Sequence, residues 1–128
     1  MRALPLLFIS ALIFYLSSRS SNPLHEVVIY NVLLNKLAHL IAYSTLFLSA
    51  VFYFQSNKYT LKHYYLFSFL YLILYAISDE IHQTFVPSRQ GKISDVFIDL
   101  LGGIIAYFSI KILHKYIKIS NIKNKFIS

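Results

Sequence analysis

Four long runs of apolar residues, separated by short polar segments, form the main pattern along this chain. The runs cover about 3–18, 36–54, 61–80 and 95–113, and a basic tail follows over 114–128. A helix needs about 20 mainly apolar residues to cross the hydrocarbon core of a bilayer. The pattern therefore predicts an all-α fold, a single-domain integral membrane bundle of four transmembrane helices. In the last run, Gly102 and Gly103 predict close packing against another helix.

The first run has a second interpretation as a secretory signal peptide, because Arg2 precedes a short apolar stretch. A signal peptide ends at a cleavage site of small residues with an A-x-A-like pattern. No such pattern occurs over residues 14–19, which include two aromatic residues and an arginine. We therefore expect the first run to be a retained helix.

The composition excludes an ordinary soluble domain. Hydrophobic residues make up 57% of the chain and charged residues 13%, whereas soluble domains contain about 45–50% and about 25% respectively. The chain has no cysteine, which excludes disulfides, thiolate nucleophiles and Cys-ligated metals. The net charge of +7 does not indicate nucleic-acid binding, because the basic residues lie between and after the apolar runs. That placement is typical of residues that orient a membrane protein.

The distribution of Lys and Arg predicts which side of the membrane each segment occupies. With four spans both termini share one side, which holds eight of the twelve basic residues. The other side holds the remaining four, Arg19, Lys36, Arg89 and Lys92. The richer side is expected in the cytoplasm. Both termini are therefore predicted to be cytoplasmic, and all five acidic residues are predicted to lie at the outer face or in the outer leaflet.

Ionisable residues are predicted to gather at the outer ends of the last three helices. On the second helix, Lys36, His39 and Tyr43 share one stripe, because residues three and four apart lie on the same face. The third helix ends with Asp79, Glu80 and Gln83, the fourth begins with Asp95 and Asp99, and the intervening loop adds Arg89 and Lys92. Ionisable residues inside a membrane usually pair with partners and mark function. Lys36, His39 and Arg89 are the expected partners of the carboxylates.

Several of these residues also have a structural interpretation. His39 can bridge two helices by hydrogen bonds alone, and Lys36 and Arg89 can be interfacial anchors. Asp95 is suited to cap the N-terminus of the fourth helix. Asp99 lies one turn further into that helix, too deep for a cap, which favours a network or a site.

The residue types in this cluster support acid–base chemistry and anion binding. Carboxylates and a histidine can act as general acid or base, so the catalytic candidates are His39, Asp79, Glu80 and Asp95. The binding candidates are Lys36, Tyr43, Gln83, Arg89 and Asp99, and the cationic members suit a phosphate or carboxylate. The chain contains no HExxH, DxDxG or similarly spaced motif, so neither a metal nor a cofactor is predicted.

Three segments closely resemble the VanZ-like family. They are the run 78–89, with an acidic pair followed by Gln, Pro and Arg, the segment 94–103, with two Asp and a Gly pair, and residues 36–43, with Lys, His and Tyr. The resemblance covers roughly residues 10–110 and implies that the family's characteristic polar positions match the nine candidates above. Two residues depart from the family pattern. They are Asp99, where Asn is frequent, and Ser88, where Gly is common.

The resemblance implies a small multi-pass protein of the bacterial cytoplasmic membrane. The family is named for a member linked to teicoplanin resistance, and it has no settled biochemical activity to carry over. We expect a site that binds or processes an envelope component, lipid-linked or peptidoglycan-related, with a link to glycopeptide tolerance as one further expectation. The alternative is a non-catalytic scaffold or partner-binding protein whose polar cluster is structural. Membrane lipids and an envelope lipid or glycopeptide are the expected partners, nucleic acid is not, and enzymatic activity and oligomeric state stay open.

Overall fold

The structure, a computed structural model, consists of helices joined by short connections. It describes residues 2–19, 28–55 and 60–125, and the side chains of all of these except 28–31 and 119–125. The helices are α1 (Leu4–Ser17), α2 (Val28–Gln55), α3 (Leu61–Gln83) and α4 (Ile93–Lys125). The described residues contain no β-strand. The predicted all-α fold of four helices is therefore confirmed.

Two helix boundaries differ from those that the sequence pattern predicts. Helix α2 begins at Val28 rather than at 36, and α4 continues through the predicted tail to Lys125. The predicted boundaries were drawn where polar and charged residues interrupt an apolar run. Such residues end the run without ending the helix, because lysine is a good helix former and single polar residues cost a helix little.

Three of the helices are long and apolar enough to cross a membrane. The spans are Val32–Gln55, Leu61–Gln83 and Ile93–Lys118. Helix α1 is equally apolar but has only 14 residues, so it extends about 21 Å at 1.5 Å per residue, less than a hydrocarbon core. Large apolar side chains such as Leu74 and Phe97 point away from the bundle and are exposed. Such surfaces suit a lipid environment, and the chain is a membrane protein.

The helices alternate in direction along the bundle. Ser44 on α2 donates a hydrogen bond to the carbonyl of Gly102 on α4, 2.9 Å away, and Tyr43 donates to Asp79 on α3. At the far end, the ammonium group of Lys111 lies 5.4 Å from the centre of the Tyr65 ring, so α3 and α4 are antiparallel. The ends of α1 and α3 and the starts of α2 and α4 therefore share one end of the bundle. We call it the loop end, because it carries the α3–α4 loop, residues 84–92.

Away from the loop end the bundle has an apolar core, which we call the apolar half. Its buried members include Phe47, Ala50, Leu72, Gly103 and Ala106. A Cβ atom on Gly103 would overlap the Leu72 side chain, and one on neighbouring Gly102 would lie 2.6 Å from the carbonyl oxygen of Leu40. The predicted close approach at this glycine pair is confirmed. It brings α4 against α2 directly beneath the loop end.

Candidate functional site

Six polar side chains from three helices meet inside the loop end. This polar cluster consists of His39, Tyr43, Asp79, Glu80, Gln83 and Asp99. All of its members except His39 are buried, and His39 is half-buried. Six of the nine residues that the sequence predicted as a site therefore lie together, although they are up to sixty positions apart in the chain.

Asp79 links α2 to α3 within the polar cluster. Its Oδ2 atom accepts one hydrogen bond from the hydroxyl of Tyr43 and one from Nε2 of Gln83, each 3.1 Å long. Gln83 lies one turn further along the same helix, so it can reach back to the carboxylate. The second oxygen, Oδ1, is buried and has no partner among the described residues.

His39 and Asp99 link α2 to α4. His39 Nδ1 lies 3.0 Å from Asp99 Oδ1, and a proton on that nitrogen is donated to the carboxylate. Asp99 is fully buried, and its other oxygen, Oδ2, has no partner among the described residues. The position of Asp99 beyond the first turn of α4 excludes a capping role, as the sequence indicated.

Glu80 ties the α3–α4 loop to the polar cluster. Its Oε2 atom accepts a hydrogen bond of 2.7 Å from the backbone N–H of Lys92, whereas Oε1 is buried without a partner among the described residues. The loop passes so close to α3 that a Cβ atom on Gly91 would overlap the carbonyl oxygen of Glu80. Glycine is therefore required at 91, and its close approach places the Lys92 N–H on the carboxylate.

Three buried carboxylate oxygens without a partner are costly for a small protein. A buried polar atom that lacks a hydrogen bond costs about 1–3 kcal/mol, and more when it is charged. Most native structures pair such atoms, so each exception calls for an explanation. In the described part of this chain, all three exceptions belong to the polar cluster.

The other three predicted site residues lie outside the polar cluster. Lys36 is exposed on α2, and Asp95 is half-buried in the first turn of α4, where its Oδ1 accepts a hydrogen bond of 3.2 Å from the Ser94 hydroxyl. Arg89 donates from Nε to the carbonyl of Arg19 and from Nη2 to that of Leu16. Within the described residues, the ion pair of His39 and Asp99 is the one found. The predicted pairing of Lys36 and Arg89 with the carboxylates is therefore wrong, because α1 carbonyls occupy the Arg89 guanidinium and Lys36 faces outward.

A partly open pocket of about 120 Å³ lies beside the polar cluster. Its lining comes from α1, α2, α3 and the α3–α4 loop: Ile13, Leu16, Ser17, Asn35, Ala38, His39, Ala42, Tyr43, Asp79 and Arg89. Apolar groups of α1 and α2 form part of the wall, and four groups that the sequence singled out supply its polar character. Glu80, Gln83 and Asp99 lie outside this lining.

Helix α1 closes one side of the pocket and is held there by side chains of α3. Ser10 Oγ and the Tyr71 hydroxyl are 2.8 Å apart, and the Tyr75 hydroxyl donates to the backbone carbonyl of Ser10. Nearer the loop end, Nε2 of His82 lies 3.0 Å from Ser18 Oγ. His82 therefore belongs to the contact between α1 and α3.

Sequence reasoning missed part of the site. Ser17 and Asn35 line the pocket, and the backbone N–H of Lys92 binds Glu80. Single uncharged side chains and backbone groups carry no pattern that separates them from surface residues. Gly91 gave a weak signal, since a glycine between two helices marks a tight passage of the backbone.

Three members of the polar cluster have the geometry of potential metal ligands. His39, Glu80 and Asp99 each offer one ligand atom, and these atoms lie within 4.8 Å of one another. The sequence predicted no metal because it contains no spaced motif. Ligands that come from three different helices have no characteristic spacing in the sequence, so a search for spaced motifs cannot detect them.

A family model described as VanZ/LLP1 matches residues 3–114 of the chain. The match includes all four helix starts, the α3–α4 loop and every residue of the polar cluster. No curated protein and no solved structure is similar enough to this chain to provide a further comparison.

Proposed function

Because the chain belongs to the VanZ/LLP1 family, we propose that it acts in the bacterial cytoplasmic membrane, where its loop end binds or processes an envelope component. The component is a lipid-linked or peptidoglycan-related molecule that reaches the outer leaflet. The observation that carries this proposal is the partly open pocket, which combines an apolar wall with His39, Tyr43, Asp79 and Arg89. Ligand sites in proteins typically combine apolar surface with a few convergent polar groups.

The charge distribution supports an outward-facing loop end. Among described residues, Arg2 and Lys62 lie near the opposite end of the bundle, and α4 carries further lysines there. Positively charged segments that flank transmembrane helices are enriched on the cytoplasmic side. With that orientation the pocket faces the outer leaflet, where envelope precursors and glycopeptides are accessible.

The size of the pocket limits what it accepts. A volume of about 120 Å³ is smaller than the roughly 300–1,000 Å³ of sites that enclose a drug-sized ligand. The pocket therefore suits a small polar group of a larger molecule, such as a phosphate or carboxylate, while the rest extends along the apolar wall. His39 and Asp79 are its proton-exchanging groups, and the Tyr43 hydroxyl lies between α2 and α3 beside them.

Arg89 has a more limited role than its charge alone indicates. Its Nε and Nη2 atoms hold the end of α1, which leaves Nη1 as the nitrogen that faces no described hydrogen-bond acceptor. Arg89 therefore shapes the pocket by positioning α1 and adds positive charge at its edge. Glu80 and Asp95, which the sequence placed among catalytic candidates, do not line the pocket. Neither residue is therefore expected to contact the envelope component.

Binding by purified protein tests the proposal. We would measure the affinity of the protein in nanodiscs for a polyprenyl phosphate, a lipid-linked peptidoglycan precursor and teicoplanin. Ala42→Leu fills the pocket and is expected to weaken binding at least about tenfold, equivalent to about 1.4 kcal/mol. Asp79→Asn removes a negative charge from the pocket wall and is expected to tighten the binding of the anionic ligands. Thr45→Leu adds similar bulk to an exposed position of the same helix and is the matched control. Equal binding by all four proteins would reject the proposal.

A structural role is the second candidate, because several bonds of the polar cluster join helices. Asp79 joins α2 to α3, and the bond between His39 and Asp99 joins α2 to α4. If the cluster is only a scaffold, Asp79→Asn should lower the melting temperature in proportion to any loss of binding or phenotype. A change of affinity at an unchanged melting temperature supports the binding role instead.

A further inference from the structure

We propose that His39, Glu80 and Asp99 form a binding site for a divalent transition-metal ion such as Zn²⁺. This inference does not depend on the envelope ligand, because it concerns side chains of the polar cluster that are largely separate from the pocket. Only His39 belongs to both. The proposal departs from the expectation, based on motif spacing, that the chain holds no metal.

The first observation is the convergence of three suitable ligands. Their ligand atoms lie within 4.8 Å of one another, and each residue comes from a different helix. An imidazole with two carboxylates is a donor set that Zn²⁺ and neighbouring transition metals accept, whereas Ca²⁺ and Mg²⁺ prefer oxygen ligands alone. The nitrogen ligand therefore favours a transition metal.

The second, independent observation is the state of the carboxylates. Asp99 is 0% exposed and Glu80 is 6% exposed, and each has one oxygen without a hydrogen-bond partner in the described part of the chain. A third unpartnered oxygen, Asp79 Oδ1, belongs to the same polar cluster. A bound cation would compensate the desolvation of such atoms, which helix packing leaves uncompensated.

The balance of charge also favours a dication. Glu80 and Asp99 bring two carboxylates into the interior, and one imidazole faces them. Within the described residues, no Lys or Arg forms an ion pair with either carboxylate. A dication compensates both carboxylates while leaving His39 neutral, which is the form that binds a metal.

The distances are compatible with coordination after a small rearrangement. Ligand atoms about 2.0–2.2 Å from a tetrahedral Zn²⁺ lie roughly 3.3 Å apart, and His39 Nδ1 is 3.0 Å from Asp99 Oδ1. The 4.8 Å spread of the full set exceeds this value. Side-chain movements of roughly 1.5 Å or less would close the difference. Three protein ligands would leave a fourth position open, and the pocket beside His39 offers an entry path.

Metal titration of the purified full chain tests the proposal. The protein, free of any affinity tag and stripped with a chelator in detergent, would be titrated calorimetrically with Zn²⁺, Mn²⁺ and Mg²⁺. Co²⁺ would be followed by its visible absorption, which reports the ligand geometry directly. We expect one ion per chain, with Zn²⁺ bound more tightly than Mn²⁺ and Mg²⁺ bound weakest, as the ligand types dictate.

Near-isosteric variants separate coordination from general charge. His39→Gln, Glu80→Gln and Asp99→Asn should each weaken Zn²⁺ binding by about a hundredfold, at least as much as the loss of an outer-shell partner. Asp79→Asn removes a neighbouring buried carboxylate charge without removing a proposed ligand, and His63→Gln removes an exposed histidine at the opposite end. His63→Gln should bind Zn²⁺ as the unaltered chain does, and Asp79→Asn should lose far less affinity than the ligand variants. Circular dichroism checks that each variant keeps its helices.

Two results would overturn the metal site. One is an unaltered chain that binds neither Zn²⁺ nor Co²⁺ more tightly than the His39→Gln/Glu80→Gln/Asp99→Asn triple variant. The other is an Asp79→Asn variant that loses as much affinity as the ligand variants, because binding would then follow charge rather than coordination. Either result would mean that shared protons or a bridging water, rather than a metal ion, satisfy the unpartnered carboxylate oxygens. The Co²⁺ spectrum of the unaltered chain decides the question even if a variant fails to fold.

Discussion

The two halves of the bundle bury their polar groups in different ways. In the apolar half, the buried hydroxyls of Ser49 and Ser68 donate to the carbonyls of Leu46 and Tyr64, each bond 2.7 Å long and within its own helix. At the loop end, each buried carboxylate keeps one oxygen that has no hydrogen-bond partner among the described residues. Local hydrogen bonds therefore pair the buried hydroxyls of the apolar half. The buried carboxylates of the loop end are only partly paired within the described residues.

This difference indicates what each region is for. Helices in lipid associate through packing, because lipid tails are as apolar as the side chains they would replace. The apolar half follows this rule, with small residues at its contacts. Buried carboxylates add desolvation cost without improving packing, so their presence in the polar cluster is better explained by a ligand or an ion than by stability. The comparison predicts that truncating a buried side chain costs stability in the apolar half, whereas apolar replacement of both members of a buried pair in the polar cluster does not.

The largest loss of stability is expected in the apolar half. Leu72 is fully buried and packs against Gly103, so Leu72→Ala should lower the free energy of unfolding by about 3 kcal/mol through the cavity it leaves. Leu74→Ala, on the same helix but 68% exposed, is the control and should change it by less than about 0.5 kcal/mol. Reversible unfolding in mixed detergent measures both. Similar values for the two variants would mean that packing does not stabilise the apolar half.

The polar cluster should respond differently to removal of one partner and of both. With a chelator present, His39→Leu and Asp99→Val should each destabilise the protein by about 2 kcal/mol, because each leaves a buried group unpaired. The double variant should return to within about 1 kcal/mol of the unaltered chain, since apolar replacement of both members of a buried pair is often neutral. The same unfolding assay completes the cycle. Additive losses would show instead that the pair contributes to stability and would weaken the contrast between the two regions.

A smaller effect is expected at the boundary of the site, where Arg89 holds α1. Arg89→Lys keeps the charge but cannot form both bonds to the carbonyls of Leu16 and Arg19 in the same geometry. We expect a loss of about 1 kcal/mol, confined to the end of α1. Trypsin should then cleave faster after Arg19, whereas Gln90→Ala in the same loop, which is exposed, should leave the cleavage rate unchanged. Unchanged cleavage in Arg89→Lys would show that α1 is held by other contacts.

The sequence predicts the helices and the composition of the polar cluster well. It predicts less well which side chains pair with one another. Apolar runs locate all four helices, and helical spacing places Asp79 and Gln83 on one face. Pairing depends on how each helix is rotated about its axis. Hydropathy does not determine this rotation, because the residues that face lipid and the residues that face the core are both apolar. Lys36 shows the consequence, since its charge predicted a carboxylate partner and the structure places it on an exposed face of α2. Helix ends were predicted poorly for a related reason, because a charge stops an apolar run but not a helix.

The smallest predicted effect concerns the loop that carries Arg89 and the Glu80 contact. Ser88 has a φ angle of 64°, in the left-handed region where residues other than glycine are strained. Glycine adopts this conformation without strain. Ser88→Gly should stabilise the protein by about 0.5 kcal/mol, because relief of strain exceeds the entropy that glycine adds to the unfolded chain. Ser88 also takes part in an interaction of its own, so the expected gain in stability is small.

Thr84→Gly is the matched control in the same loop, since Thr84 has an ordinary φ of −64° and its hydroxyl donates to the carbonyl of Ile81. That variant should lose stability, and a gain from both substitutions would mean that the loop as a whole, rather than the backbone at Ser88, is strained.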